Sequence, residues 1–183
     1  MAIQTRTQLQ AKSATVQSET APSANTAARV GGLFDDLSDS VTLNGERGFA
    51  SLYVDTPTGY TPNTSTEVAV DIAMENGASS GSVFSTSDYT ISYTGSITVG
   101  LRISCQLTFA GINDRRYSFW IAQNGNIIPQ SLSENTTQGT HNHFICLEAF
   151  VLASTDAFFE IFASSNSGSE ITIQTATFTA CTI

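Results

Sequence analysis

A single lysine, Lys12, serves a chain of 183 residues, and Asp, Glu, Lys and Arg together make up 13% of it. Globular proteins average about 25%. So few charges, with many Thr and Ser, fit a sheet protein whose outward faces carry hydroxyls rather than ions. Cations are the scarcer sign, seven Lys and Arg against sixteen Asp and Glu, for a net charge of −9. Up to Val30, Arg6, Lys12 and Arg29 face Glu19 alone, a net of +2, and the remainder carries −11. An acidic domain repels phosphate backbones, so no nucleic-acid partner is expected. The three cysteines, Cys105, Cys146 and Cys181, are odd in number and widely spaced. That excludes a disulfide framework and a zinc motif. Cys105 and Cys146 fall inside apolar strand patterns, where a thiol acts as a small hydrophobe. No run reaches the roughly 18 apolar residues of a membrane span. Residues 1–19 lack the apolar core of a secretory signal, so synthesis in a cytoplasm without membrane insertion is expected. There is no H-E-x-x-H and no P-loop. Asp35 and Asp36 are the only adjacent carboxylates, and no enzyme and no cofactor are expected.

What is present divides into three parts. Residues 1–25 are polar, rich in Ala, Ser, Thr and Gln, and without a clean period. Alone they bury too little apolar surface to offset chain entropy, so they order only against a partner. Residues 26–46 carry a helical seam. Val30, Leu33, Leu37 and Val41 recur at helical spacing, with Phe34 widening the stripe. Asn44-Gly45 ends it. Gly31 and Gly32 each cost about 1 kcal/mol relative to Ala in a helix. A helix this short is marginal in water and needs something to pack on. The seam packs either on copies of itself, as a stalk, or on its own β-domain as a satellite helix.

From residue 47 the period is two. Strands are expected at 49–54, 66–74, 88–93 and 97–109, the last with Ile97, Val99, Leu101, Ile103, Cys105, Leu107 and Phe109 on one face. Residues 55–65 and 75–82 read as loops. YSFWIAQ (117–123) sets Trp120 opposite Tyr117, Phe119 and Ile121. Asn124-Gly125 is a hairpin signal, and Pro129 suits an edge strand. Residues 141–152 are apolar on both faces. Residues 157–164 and 170–181 read as a pair closed by a Ser/Gly loop. Eight to ten strands without room for crossover helices make an antiparallel two-sheet sandwich of jelly-roll type. Such a sandwich covers one face of each sheet, so a strand apolar on both faces asks for another layer, and another copy of the chain is the expected one.

The order YTISYTGSITVGLRISCQLTFAG, an aromatic strand, then AFFEIFASSNSGSEITIQTATFTACTI resembles the C1q/TNF-like trimeric jelly rolls, and most of all those that end bacteriophage fibre proteins. It covers residues 88–183. TAARVGGLFDDLSDSV resembles the particle-proximal segments of phage fibre and spike proteins. The resemblance implies a structural virion protein, made in a host cytoplasm: a homotrimeric fibre or spike. An attachment arm (1–25) would bind other virion proteins (capsid, portal or tail), a helix (26–46) would trimerise or dock, and a jelly-roll head (47–183) would meet a host-surface glycan or protein. The alternatives are a capsid decoration or head-fibre protein without a receptor, and a cellular C1q/TNF-like binding module. Many C1q-like heads hold calcium in acidic loops. Here Asp55, Asp88, Asp114, Glu134, Asp156 and Glu170 are scattered singly, and no calcium site is carried over.

Two further constellations bear on chemistry. His141 and His143, at i and i+2 of a strand, share a face, and a threefold axis there would gather six imidazoles as a metal site. The alternative is two solvated or hydrogen-bonded strand-end histidines. Tyr60 and Trp120 are the aromatic candidates for stacking on sugar, against loop packing for Tyr60 and interface burial for Trp120.

Overall fold

A computed structural model describes residues 10–14, 47–64, 66–81, 83–138 and 141–183. The chain divides into two compact units, Met1–Glu46 and Arg47–Ile183. In the first, residues 10–14 are helical, with every side chain but Ser13 exposed. The seam expected at 26–46, with Val30, Leu33, Phe34, Leu37 and Val41, lies outside the described residues.

The second unit is a two-sheet antiparallel sandwich. The first sheet runs β11 (His143–Ala153), β7 (Val99–Ala110), β13 (Ile171–Thr182), β1 (Phe49–Val54), β4 (Glu75–Ser80), with β2 (Thr58–Tyr60) on β13. The second runs β10 (Ser133–Thr136), β8 (Arg116–Gln123), β12 (Phe158–Ser165), β6 (Thr90–Tyr93), β5 (Phe84–Ser87). To it β3 (Val68–Ala69) adds on β12 and β9 (Asn126–Ile127) on β8. The connections β7–β8, β11–β12 and β12–β13 cross between sheets. At these steps sequence neighbours face each other across the core rather than pair, which is the jelly-roll arrangement.

The period of two puts one face of each strand inside. β7 buries Leu101, Ile103, Cys105, Leu107 and Phe109 and turns Arg102 and Gln106 outward. From the other sheet Tyr117, Phe119, Ile121, Phe159 and Ile161 meet them. Phe109 sets the spacing, with ring centroids 5.5 Å from Tyr117 and 5.2 Å from Phe119. Each fully buried aromatic or aliphatic side chain here contributes roughly 1.5–3 kcal/mol of burial.

Several expectations are corrected. The stretch 75–82, read as a loop, contains β4, which pairs β1 at the sheet edge. Within 66–74 only β3 is strand, although Val70 and Ile72 are buried as their alternation implies. The two segments read as a hairpin, β12 and β13, lie in different sheets; the loop between them is a crossover. Pro129 opens a 3-10 turn, Pro129–Ser131, rather than an edge strand. β5 and β10 are short and polar and carried no apolar signal.

Candidate functional site

β11 has an inner and an outer face. Ile145, Leu147, Ala149 and Ala153 point into the core, while Phe144, Cys146, Glu148, Phe150 and Leu152 point out. That outer face is exposed in the single chain: Phe144 59%, Phe150 64% and Leu152 72%. Cys146 is likewise exposed rather than packed as a core hydrophobe. The patch continues across the sheet through register. Phe150 stands beside Arg102, Arg102 beside Cys181, and Cys181 beside Phe49, which is 40% exposed. Leu152 stands beside Gly100. The side chain of Ile183, 74% exposed, lies over that glycine, where a Cβ would come within 3.0 Å of it. Arg102 donates from Nε to Glu148 Oε1 within the patch. Towards β1 the face becomes hydroxylic, with Ser104 and Thr179 in hydrogen bond at 2.8 Å. Phe49, Phe144, Phe150, Leu152 and Ile183 thus share one sheet face, and an apolar face of this kind on a sandwich marks an interaction surface. β11 is also an edge strand of eleven residues, which is an invitation to association unless covered.

The two ends of the sandwich differ. At the proximal end, Gly48 leads into β1 beside the C-terminus: the Thr182 N–H donates to Gly48 O at 3.0 Å, and the Ile183 N–H to Gly100 O at 3.1 Å. At the distal end, where β7 and β12 finish and β11 and β13 begin, three loops are tied together. Thr137, fully buried, is the knot. Its N–H donates to Arg115 O at 2.9 Å, its carbonyl accepts from the Asp114 N–H at 2.8 Å, and its hydroxyl accepts from the Arg115 N–H at 3.3 Å. The same hydroxyl donates towards Ile112 O and Arg115 O. From the β12–β13 loop, Asn166 accepts the Arg116 N–H on Oδ1 at 3.1 Å and returns its own N–H to Arg116 O at 3.1 Å. Burial raises the Tyr117 phenol, while the Ile112 N–H and the nearby Arg115 charge act against that shift.

The sequence candidates are placed as follows. Tyr60 is buried in the sandwich; its hydroxyl lies 3.4 Å from Val68 O and 3.2 Å from Ala69 O. Burial first, then the Asp71 charge, push that phenol up to about 12. Its ring is committed to packing and is not free to stack on sugar. Trp120 is half-buried on the outer face of the second sheet, opposite Phe162, so the two candidates are not brought together. His143 sits on the core-side end of β11, 5.7 Å from the Phe109 ring, with Nε2 accepting the Gln138 N–H at 3.2 Å. His141 precedes the strand and is exposed. The histidines therefore do not share the outer face with Phe144. Among the described residues no group of three or more metal-ligating side chains occurs.

Arg115 and Arg116 lie in a stretch that carries no motif in the sequence. Gly77-Ala78-Ser79-Ser80-Gly81 matches the letters of the G-x-S-x-G nucleophile elbow. That elbow needs a sharp strand-to-helix turn. Ser79 instead lies in the extended edge strand β4 opposite Ala50, while His143 opens β11, at the opposite edge of the sheet, and His141 lies two residues before it. The match carries no chemistry.

Two antiparallel sheets joined by crossing connections define the class: a TNF-like jelly roll. Solved structures agree. PRD1 vertex protein P5 aligns with a TM-score of 0.50 at 13% identity, over 74% of this chain and 96% of that one. Murine APRIL aligns with a TM-score of 0.53 at 6% identity, over 75% and 100%. At these identities the likeness is one of fold. No family model and no curated protein sequence matches the chain.

Proposed function

We propose that the chain is a structural, non-enzymatic bacteriophage virion protein, a homotrimeric fibre or spike whose jelly-roll head faces outward. Residues 1–25 attach it to capsid, portal or tail proteins, residues 26–46 trimerise or dock it, and the distal loops present the host-contacting surface. The observation that carries this reading is the outer face of the first sheet. Phe144, Phe150, Leu152 and Ile183 stand 59–74% exposed beside a hydroxylic sheet face. A second copy covers such a surface when its edge strand packs on the neighbour's face, and a head-to-tail contact of that kind closes into a ring. The likeness in fold to PRD1 vertex protein P5 and the resemblance to fibre heads support the virion setting.

Multi-angle light scattering of the full chain tests the assembly. The expected mass is three times 19.4 kDa; a monomer at micromolar concentration sinks the trimer. Competition tests the attachment. The purified protein should inhibit adsorption of the phage to its host, and no inhibition turns the reading to a decoration protein without a receptor.

A further inference from the structure

The unit 47–183 holds four arginines against eleven carboxylates, a net of −7. The charge is unevenly laid out. Four neighbouring strands of the first sheet, β11, β7, β13 and β1, carry one arginine and one carboxylate between them, Arg102 and Glu148. The other ten carboxylates lie outside those strands. Copies of so acidic a chain repel each other wherever carboxylates meet. The outer face of these strands is net neutral, and it is also where Phe144, Phe150, Leu152 and Ile183 are exposed. Charge neutrality and uncovered apolar surface fall on one face, and together they select a second copy as its occupant.

Within the chain, Arg102 donates from Nε to Glu148 Oε1. Phe150 stands directly opposite Arg102 in the ladder and two residues beyond Glu148 on the same face. Cys181 flanks Arg102 on the other side. Ser104, opposite Glu148, shares a 2.8 Å hydrogen bond with Thr179 instead. In the single chain the Arg102 and Glu148 side chains are 53% and 41% exposed. An exposed pair of this kind adds little to the fold of one chain. Its place matters to association. A neighbour that covers Phe150 also covers Arg102 and Glu148. Bare charges would make that covering costly, whereas a pair enters already neutralised. Among the described residues the terminal nitrogens of Arg102 and Oε2 of Glu148 have no partner, so the arriving copy has to supply acceptors and a donor to them. A wholly apolar face accepts a neighbour in many registers. This face favours those that meet the unspent donors and the unspent oxygen.

We propose that the Arg102–Glu148 pair is the register lock of the interface between copies. It weakens association relative to an apolar face and confines it to one closed arrangement. The lock rests on the reading of the chain as a homotrimer and names the residues that limit the assembly to three copies.

The test uses the full chain, with light scattering for mass and sedimentation velocity across a dilution series for dissociation. Arg102→Met strands Glu148 under the neighbour, and Glu148→Gln strands Arg102. Each should raise the concentration at which the trimer falls apart by on the order of tenfold or more. Arg102→Met/Glu148→Leu removes both charges. It should hold together at concentrations as low as wild type or lower. Its mass should spread from three times 19.4 kDa into a mixture of larger and smaller assemblies. Arg116→Gln breaks the looser pair with Glu134, 3.9 Å apart on the second sheet, and should leave dissociation at the wild-type concentration. Circular-dichroism melting of dissociated samples should match wild type for every variant, which separates a lost contact from a lost fold. Single variants that dissociate where wild type does overturn the placement of the pair at the interface. A double variant that remains one sharp trimer overturns the lock. A wild type that is monomeric throughout removes the trimer reading and the lock together; a trimeric wild type with unmoved variants removes the lock alone.

Discussion

Replacing Phe150 by Ser should leave the single chain folded and weaken the trimer. Phe150 is 64% exposed on the outer face of β11. A phenylalanine side chain presents roughly 200 Å², so roughly 130 Å² remains to be covered by a neighbour. At about 25 cal/mol per Å² this is about 3 kcal/mol per contact and about 10 kcal/mol over three. Ordering and imperfect burial take part of it, and halving leaves about 5 kcal/mol. At 1.4 kcal/mol per decade, that is between three and four decades in the three-body equilibrium constant. The midpoint concentration scales as the square root of that constant, so dissociation should begin at a concentration higher by more than one decade. Sedimentation velocity across a dilution series reads this directly. The folding midpoint in urea should move by no more than about 0.5 kcal/mol, because the side chain is a surface one in the monomer. A Phe150→Ser trimer that survives dilution as well as wild type refutes the placement of the interface. A variant that melts several kcal/mol lower refutes the assignment of Phe150 to the outer face.

Thr137→Val should destabilise the head by about 1–3 kcal/mol, since it leaves the Arg115 N–H and the Ile112 carbonyl without their buried partner; urea titration measures it, and an unchanged midpoint contradicts the hub. The head should lose stability at high pH. Burial pushes Cys105 up to about 12 and Tyr60 up to about 12, so ionisation is postponed in the fold but free in the unfolded chain. The stabilisation from Cys105 is whole below pH 9 and is lost between 9 and about 12; that from Tyr60 is lost between 10 and about 12. Urea midpoints from pH 7 to 11 should fall, and Cys105→Ala should fall less steeply; a flat profile is the contrary result. Iodoacetamide at pH 8 should modify Cys146 of a dilute, dissociated sample and leave Cys105 intact. Raising the protein concentration should protect Cys146, and indifference to concentration argues against its face as the interface.

β7, β8 and the inner face of β11 were legible in the sequence because core burial and alternation coincide there. Leu101 to Phe109 needs no long-range knowledge to be seen. β4 was not legible. ENGASS has no apolar period, and it is a strand because β1 offers it ladder partners, which is a tertiary fact. The β12–β13 loop shows why short connections mislead. Ser-Asn-Ser-Gly-Ser has hairpin composition, yet Phe159 and Ile161 enter the common core from one sheet and Ile173 and Phe178 from the other. The apolar outer face of 141–152 was visible as a surplus, with nothing in the single chain to cover it. The backbone clamp on Arg115 and Arg116 was not legible, because the groups that hold it, Thr137 and Asn166, lie 22 and 50 residues away.

The proximal end has a mechanical consequence. β1 follows Gly48 and runs antiparallel to β13, in register from Phe49 opposite Cys181 to Val54 opposite Ala176. A pull on Gly48 along the strand, resisted at the distal loops, loads that ladder in shear. All of its hydrogen bonds carry the tension together, with the β4 ladder sharing it on the other side. The same ladder pulled sideways would unzip one bond at a time. The domain is therefore built to bear axial force through its entry strand, and single-molecule extension from Gly48 should rupture it at a higher force than extension across the sheet.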